Sequence, residues 1–331
     1  MSLLSVKDLT VTLATGSGDA QAVRNLSFDV GHGEILGIAG ESGSGKTMTA
    51  LSLLGLLPYK GRASGSINFN GREILASTKR EYRDLRGKEI AMIFQDPMTS
   101  LHPMLTIEVQ LTEHLLHHRK VSKEAARKVA LDLLATVKIP DPAAALAAHP
   151  TQFSGGMRQR IAIASALACE PKLLIADEPT TALDVTVQAG ILKLLHQLRN
   201  DRKLSVMVIT HDLGVLSSLT DRILIMYAGS EVESGPTSEI LKNARHPYTK
   251  GLIAALPGKV KSASKNLTSI EGMPPELGNF PRGCAFHPRC IHAVDSCKND
   301  LPGSLQITAS HRIFCPVNPF LSSKEGDKLK R

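Results

Sequence analysis

Gly40-Glu41-Ser42-Gly43-Ser44-Gly45-Lys46-Thr47 is the stretch that decides the fold. It fits G-x-x-x-x-G-K-(S/T) and sits between a short apolar strand, EILGIAG (34–40), and a helical pattern that begins at Thr47. Leu51, Leu54 and Leu57 mark that helix before Pro58 stops it. Strand, glycine loop and helix is the context in which this spacing cradles phosphate. The glycines let successive backbone N–H groups face one anion, and the helix adds the positive end of its dipole. Gly40, Ser42, Gly43 and Gly45 therefore shape an anion loop, Lys46 reaches the β- and γ-phosphates, and the Thr47 hydroxyl ligates Mg2+.

Outward from the loop the pattern is α/β. Upstream, Leu9, Val11 and Leu13 alternate, then Leu26, Phe28 and Val30, as half-buried antiparallel strands do. Downstream, SINFNGREI (66–74) reads as a strand and turn and IAMIFQ (90–95) as a buried strand. Residues 107–138 read as helical, with Ala126, Val129, Ala130, Leu133 and Val137 on one face. KLLIAD (172–177) and SVMVIT (205–210) are apolar runs of parallel-strand type, and DRILIMYAGSEVESG (221–235) reads as a hairpin. After residue 257 the texture turns to Pro, Gly, Lys and Ser. The expected fold is an α/β P-loop NTPase core with an antiparallel β subdomain and a helical subdomain over about 100–165. That core occupies 1–257, and a small irregular domain occupies 258–331.

Two further elements carry chemistry. LLIADEP ends a strand in Asp177, placed to hold the hydration shell of Mg2+, and Glu178, placed to polarise an attacking water. Ser154-Gly155-Gly156-Met157-Arg158 opens the helix RQRIAIASALA and offers a second anion site at a helix N-terminus.

Composition sets the outer limits. A chain of 331 residues suggests about two domains. No run approaches the ~18 apolar residues of a membrane span, and Lys7 and Asp8 interrupt any leader-like apolar stretch in MSLLSVKDLTVTL. Export and membrane spanning are not expected. The net charge of +8 suits an anionic partner, yet Trp is absent and aromatics are 4%, a poor supply for stacking bases. Nucleic acid is not expected as a partner.

On these residues the chain resembles the nucleotide-binding subunit of an ATP-binding cassette (ABC) transporter. The landmarks run in order: the loop at 40–47, Gln95, SGGMR at 154–158, Asp177-Glu178, TALD at 181–184 and His211. The resemblance implies an ATPase that works as a head-to-tail dimer. ATP would lie between the phosphate loop of one subunit and Ser154, Gly155 and Gly156 of the other. It implies that Gln95 contacts Mg2+ and senses a membrane subunit, that His211 contacts the γ-phosphate and that Asp184 links the two sites. Leu13, helped by Val23, stands where relatives stack an aromatic residue on adenine, and Met157 replaces the usual Gln.

Five cysteines remain, and without an export signal they are not expected to form disulfides. Cys169, inside an expected helix, reads as core. Cys284, Cys290, Cys297 and Cys315 crowd into 32 residues of irregular chain. They are small buried residues, or ligands of an iron–sulfur cluster or a structural zinc with His287 and His292 as substitutes. HPYTKGLIAALP (246–257), GCAFHPRC and QDPMTSLHP (95–103) are similar to ATPase subunits of the dipeptide, oligopeptide and nickel importer group. That resemblance implies a four-iron, four-sulfur (4Fe-4S) cluster on the four cysteines, with Zn2+ as the alternative.

It further implies a peripheral protein at the cytoplasmic face of the inner membrane that powers peptide import. The partners would be a second, paralogous ATPase in a heterodimer, two integral-membrane permeases docking over Gln95–Val137, and an extracytoplasmic substrate-binding protein acting on the permeases. The alternatives are a nickel or metal-chelate importer, or a soluble cassette ATPase of nucleic-acid repair or iron–sulfur assembly.

Overall fold

The computed structural model describes residues 2–16, 18–96, 100–181, 183–256 and 270–320. The expected boundary at 257 lies outside the described residues.

The strands are β1 (Ser2–Thr15), β2 (Gly18–Gly31), β3 (Ile35–Ala39), β4 (Arg62–Phe69), β5 (Arg72–Glu73), β6 (Ile90–Ile93), β7 (Leu173–Asp177), β8 (Ser205–Thr210), β9 (Arg222–Tyr227), β10 (Ser230–Pro236), β11 (Leu305–Thr308) and β12 (His311–Ile313). They form two sheets. One is antiparallel, in the order β2-β1-β4-β5; the other has eight strands, β11-β12-β10-β9-β3-β8-β7-β6. Strands β6, β7, β8, β3 and β9 run parallel, because their continuous apolar runs can be covered on both faces.

Alternation along these strands builds two cores. Leu36, Ile38, Leu173, Ile175, Met207 and Ile209 face the antiparallel sheet and pack with Leu4, Val11, Leu26 and Ile67. Ile35, Leu174, Ala176, Val206 and Val208 face the helices.

The helices are α1 (Lys46–Leu53), α2 (Lys79–Leu85), α3 (Ile107–His118), α4 (Lys123–Thr136), α5 (Pro142–Ala147), α6 (Gly155–Ala166), α7 (Val185–Arg202), α8 (Leu213–Leu219), α9 (Thr237–Asn243), α10 (Pro247–Ala254) and α11 (Ser296–Asn299). Three differ from the sequence reading. The stretch 107–138 is two helices, not one: Lys120 turns to φ +51°, and Ser122 caps α4 by accepting the Ala125 N–H at 3.2 Å. Helix α1 stops at Leu53 rather than near Pro58, with Gly55 at φ +58° just beyond it. Cys169 is core, but it lies past the end of α6; it is buried and its thiol faces the His114 carbonyl at 3.5 Å.

The C-terminal segment is joined to the main sheet. β12 pairs with β10 through Glu233↔Ile313 and Ser234↔Arg312, and β11 completes the hairpin. Glu233 is fully buried and receives the Arg245 and His246 N–H groups and the His311 ring. Cys284, Phe286 and Cys297 enter the helix-side core. The segment borrows a core instead of building one.

Candidate functional site

The site lies at the carboxyl ends of the parallel strands, where open α/β sheets bind ligands. β3 delivers the loop at 40–47 between its neighbours β8 and β9. Two of its glycines are obligatory. A Cβ on Gly40 would lie 2.2 Å from the Met226 carbonyl oxygen, and one on Gly45, at φ +98°, would lie 2.5 Å from that of Ala22. Lys46 is buried, and its Nζ donates to the carbonyls of Gly40 and Glu41 at 2.7 and 2.8 Å and to Ser44 Oγ at 3.3 Å. Burial lowers its pKa, against the opposing charges of Glu178, Asp177 and Glu41.

Register brings the remaining groups to the same edge. Ile93 of β6 lies beside Ala176, and Asp177 of β7 lies beside Ile209. Gln95, Glu178 and His211 each follow one of those strand ends and so meet. The Gln95 amide donates to Glu178 Oε2 at 3.0 Å, the Thr181 hydroxyl donates to the same oxygen at 2.8 Å, and His211 Nδ1 stands 2.9 Å from Oε1. Glu178 is held at φ +46°, a strained conformation for a side-chain-bearing residue, and its N–H donates to the Ile209 carbonyl. Burial pushes its carboxyl up. The hydrogen bonds from His211 and Thr181 and the charges of His211 and Lys46 outweigh that and hold it below the usual carboxylate range. It is an ionised acceptor at neutral pH.

Asp177 is in a different position. It is 2% exposed, burial pushes its pKa up against a hydrogen bond from Thr47, and its Oδ1 has no hydrogen-bond partner among the described residues. A buried, unpartnered carboxylate oxygen beside the Thr47 hydroxyl fits a divalent cation. Mg2+ suits this donor set.

Ser154 caps α6, its Oγ 3.4 Å from the Met157 nitrogen, so Gly155 and Gly156 open the helix as expected. Gly156 faces α7 so closely that a Cβ there would lie 2.5 Å from Val187 Cγ1. Asp184 caps α7 through the Val187 N–H at 2.9 Å. Leu13 is half-buried on β1 opposite Ala20. Val23 is buried, and a Cβ on Gly45 would reach its Cγ2 at 3.3 Å.

The four C-terminal cysteines line one small cavity of about 10 Å3, together with His246, His287 and His292. Among the described residues no group of three or more His, Cys, Asp or Glu side chains is arranged to hold an ion. Burial raises the pKa of Cys290 and Cys315 and pushes that of Cys284 up to about 11. Neutral thiols pack as small apolar groups.

The structure also adds residues that the sequence reading missed. The Glu41 carboxylate is paired with Arg289 at 2.6 and 3.1 Å, and the Glu41 N–H donates to the Tyr248 hydroxyl at 2.9 Å. Both partners lie in HPYTKG and GCAFHPRC, which the sequence marked without giving them a role.

Two family models match different parts of the chain. Residues 23–181 match the ABC transporter model, and residues 232–297 match that of the oligopeptide/dipeptide transporter C-terminal region. The oligopeptide transport ATP-binding protein OppD of Salmonella typhimurium is 50% identical over 300 residues, covering 91% of this chain and 89% of that protein. The chain belongs to the ABC transporter family. This ABC ATPase is also 48% identical over 315 residues to the dipeptide transport ATP-binding protein DppD of Bacillus subtilis, covering 95% and 94% of the two chains. Among solved structures it is similar to the ATP-binding cassette MJ0796, a dimer bound to ADP and Pi. There the TM-score is 0.64 and identity 29%, over 71% of this chain and 98% of the other. No helix among the described residues of the ABC ATPase is long and apolar enough to cross a membrane.

Proposed function

We propose that this ABC ATPase powers import of di- and oligopeptides through integral-membrane permease partners. The observation that carries the reading is the match to OppD and DppD over more than nine-tenths of the chain, cysteine-bearing segment included. In this reading residues 1–257 are the nucleotide-binding unit and 258–331 the C-terminal unit. The loop at Gly40, Ser42, Gly43, Gly45, Lys46 and Thr47 binds the phosphates of ATP, and Leu13 with Val23 covers adenine. Glu178 takes a proton from the attacking water while Gln95 and His211 orient that carboxylate; His211 also meets the γ-phosphate. Thr47, Asp177 and Gln95 would hold Mg2+, which supplies charge neutralisation at the β- and γ-phosphates.

In a head-to-tail pair with a paralogous second subunit, Ser154, Gly155 and Gly156 of this chain complete the partner's site, the partner's equivalent turn completes this one, and Asp184 links the two. Val185, a large apolar side chain left 81% exposed next to Asp184, supports a partner at that face. Phe94, Met104, Leu105 and Val109 are likewise exposed, and Phe94 borders a groove shared with Leu56, Leu101 and Ala162. That surface supports permease docking and a peripheral place at the cytoplasmic face, with a substrate-binding protein acting on the outer side. Co-purification tests the reading. Recovery with two integral-membrane subunits and peptide-dependent ATP turnover is expected, and a soluble complex lacking them overturns it.

For the cysteines we propose a 4Fe-4S cluster, with Zn2+ as the alternative. Support comes from the donor set: four thiols around one cavity, in a segment short of core, where ligation would displace the thiol protons. Anaerobic purification should give iron and acid-labile sulfide in equal amounts. About one zinc per chain favours the alternative, and neither metal overturns the proposal.

A further inference from the structure

The phosphate loop is gripped from outside the ATPase core. Arg289 ends a short turn, His287–Arg289, and the next residue is Cys290. Its side chain is 6% exposed and forks onto both carboxylate oxygens of Glu41, Nη1 at 2.6 Å and Nη2 at 3.1 Å. Its other donors are also engaged. Nε reaches the Glu271 carbonyl at 2.9 Å, Nη1 the Tyr227 hydroxyl at 3.3 Å and Nη2 the Ile270 carbonyl at 3.4 Å. The rings of Tyr227 and Phe286 flank the guanidinium with centroids 5.8 and 5.9 Å away. Such a planar, saturated fork fixes orientation as well as charge, which a lysine cannot do.

Glu41 is the second residue of the phosphate loop, and the structure accounts for all three of its polar groups. Arg289 takes the carboxylate. Tyr248, wholly buried against Tyr227 and Phe286, takes the N–H. Lys46 Nζ takes the carbonyl at 2.8 Å, which also accepts the Ser44 N–H at 3.2 Å. The third grip is the one that must be given up when Lys46 turns to a phosphate. The Ser44 N–H on the Glu41 carbonyl and the Gly229 N–H on the Ser44 carbonyl remain; Arg289 and Tyr248 are the side chains that still hold Glu41, and neither belongs to the strand-loop-helix unit that forms the loop.

We propose that Arg289, together with Tyr248, is a positioning residue for ATP binding: it fixes the phosphate loop through Glu41 and makes the loop's geometry depend on the cysteine-bearing segment. The inference rests on residues 40–47 being the phosphate site.

The test uses the full chain, with equilibrium binding of a fluorescent ATP analogue and steady-state ATP turnover. Arg289→Lys, Arg289→Ala, Glu41→Gln and Tyr248→Phe should each weaken MgATP binding and raise KM roughly tenfold, with kcat within about twofold, because loop placement and not the chemical step is disturbed. The double variant Arg289→Ala/Glu41→Gln should bind no worse than its weaker parent, since both changes remove one contact. Lys46→Ala is the control for the underlying reading and should lose binding outright. If Lys46→Ala binds normally, the phosphate-site reading fails. If Lys46→Ala loses binding while the Arg289 and Glu41 variants bind as the parent does, or their effects add, the positioning role is overturned. Should Arg289→Ala not fold, Glu41→Gln and Tyr248→Phe leave the C-terminal segment unaltered and decide the matter.

Discussion

Replacing Glu178 by glutamine should leave ATP bound and almost unhydrolysed. The structure sets the size of both halves of that statement. Oε2 accepts from Gln95 and Thr181, and Oε1 faces His211 Nδ1. A glutamine whose carbonyl oxygen takes the Oε2 position keeps both of the first two donors. Its NH2 group then meets His211 Nδ1, which can accept once the ring proton moves to Nε2. The exchange therefore costs about one net hydrogen bond at most, ~1 kcal/mol, and no rearrangement of the strand ends. What is lost is the acceptor itself. An amide cannot take the proton of the attacking water, and general-base assistance is worth roughly 10²- to 10⁴-fold, or ~3–5 kcal/mol of barrier. Phosphate release under saturating ATP reads the rate, and retention of a fluorescent analogue reads binding. Turnover within about tenfold of the parent would refute the assignment, because no other described carboxylate receives the Gln95 and His211 side chains.

Three further outcomes are expected. His246 is buried and neutral, its pKa held down to about 4 by desolvation against the charge of Glu233. It must charge on unfolding, so its share of stability is complete above the unfolded value near 6.5 and is lost as pH falls toward 4. That amounts to about 3 kcal/mol, and denaturant titrations at pH 7.5 and 4.5 should show the slope flatten in His246→Asn. Gly156→Ala should cost about 1–3 kcal/mol in thermal or denaturant unfolding, because the new Cβ meets the stiff Val187 side chain; adding Val187→Ala should recover most of it. Leu13→Tyr should tighten ATP binding by about two- to tenfold, the worth of one aromatic stack, if Leu13 covers the base. An unchanged affinity places adenine elsewhere.

The sequence was most legible where chemistry and local structure share one segment. The loop at 40–47 announces itself because glycine, lysine and the strand before it are all required by the same phosphate. Asp177 and Glu178 are weak signals alone and become readable beside the loop, since phosphoryl transfer needs a cation ligand and a water-positioning group next to the phosphates. The break at 119–122 was hidden because Val121 continues the apolar pattern while the decisive signal, Ser122 as a cap, is a single residue. Least legible were contacts between segments far apart in the chain. Glu41 occupies a position where the loop motif accepts any residue, and its partner Arg289 is one basic residue among 39. Neither carries a local pattern, and only the folded sheet brings them together. The thiols were legible as a cluster in the chain, but that the fold gathers all four around one cavity is visible only in the structure.

The joining of β12 to β10 also determines how the molecule fails. With β11 and β12 in place, β10 is an interior strand of an eight-stranded sheet. Cleavage that released the chain beyond residue 270 would turn β10 into an edge with N–H and C=O groups unpaired, a form that can recruit another strand. The same cut would withdraw the His311 ring from Glu233, a carboxylate already sealed from water. Shortened forms of this chain are therefore expected to precipitate rather than persist as a smaller working ATPase. The C-terminal segment acts as the selvage of the main sheet.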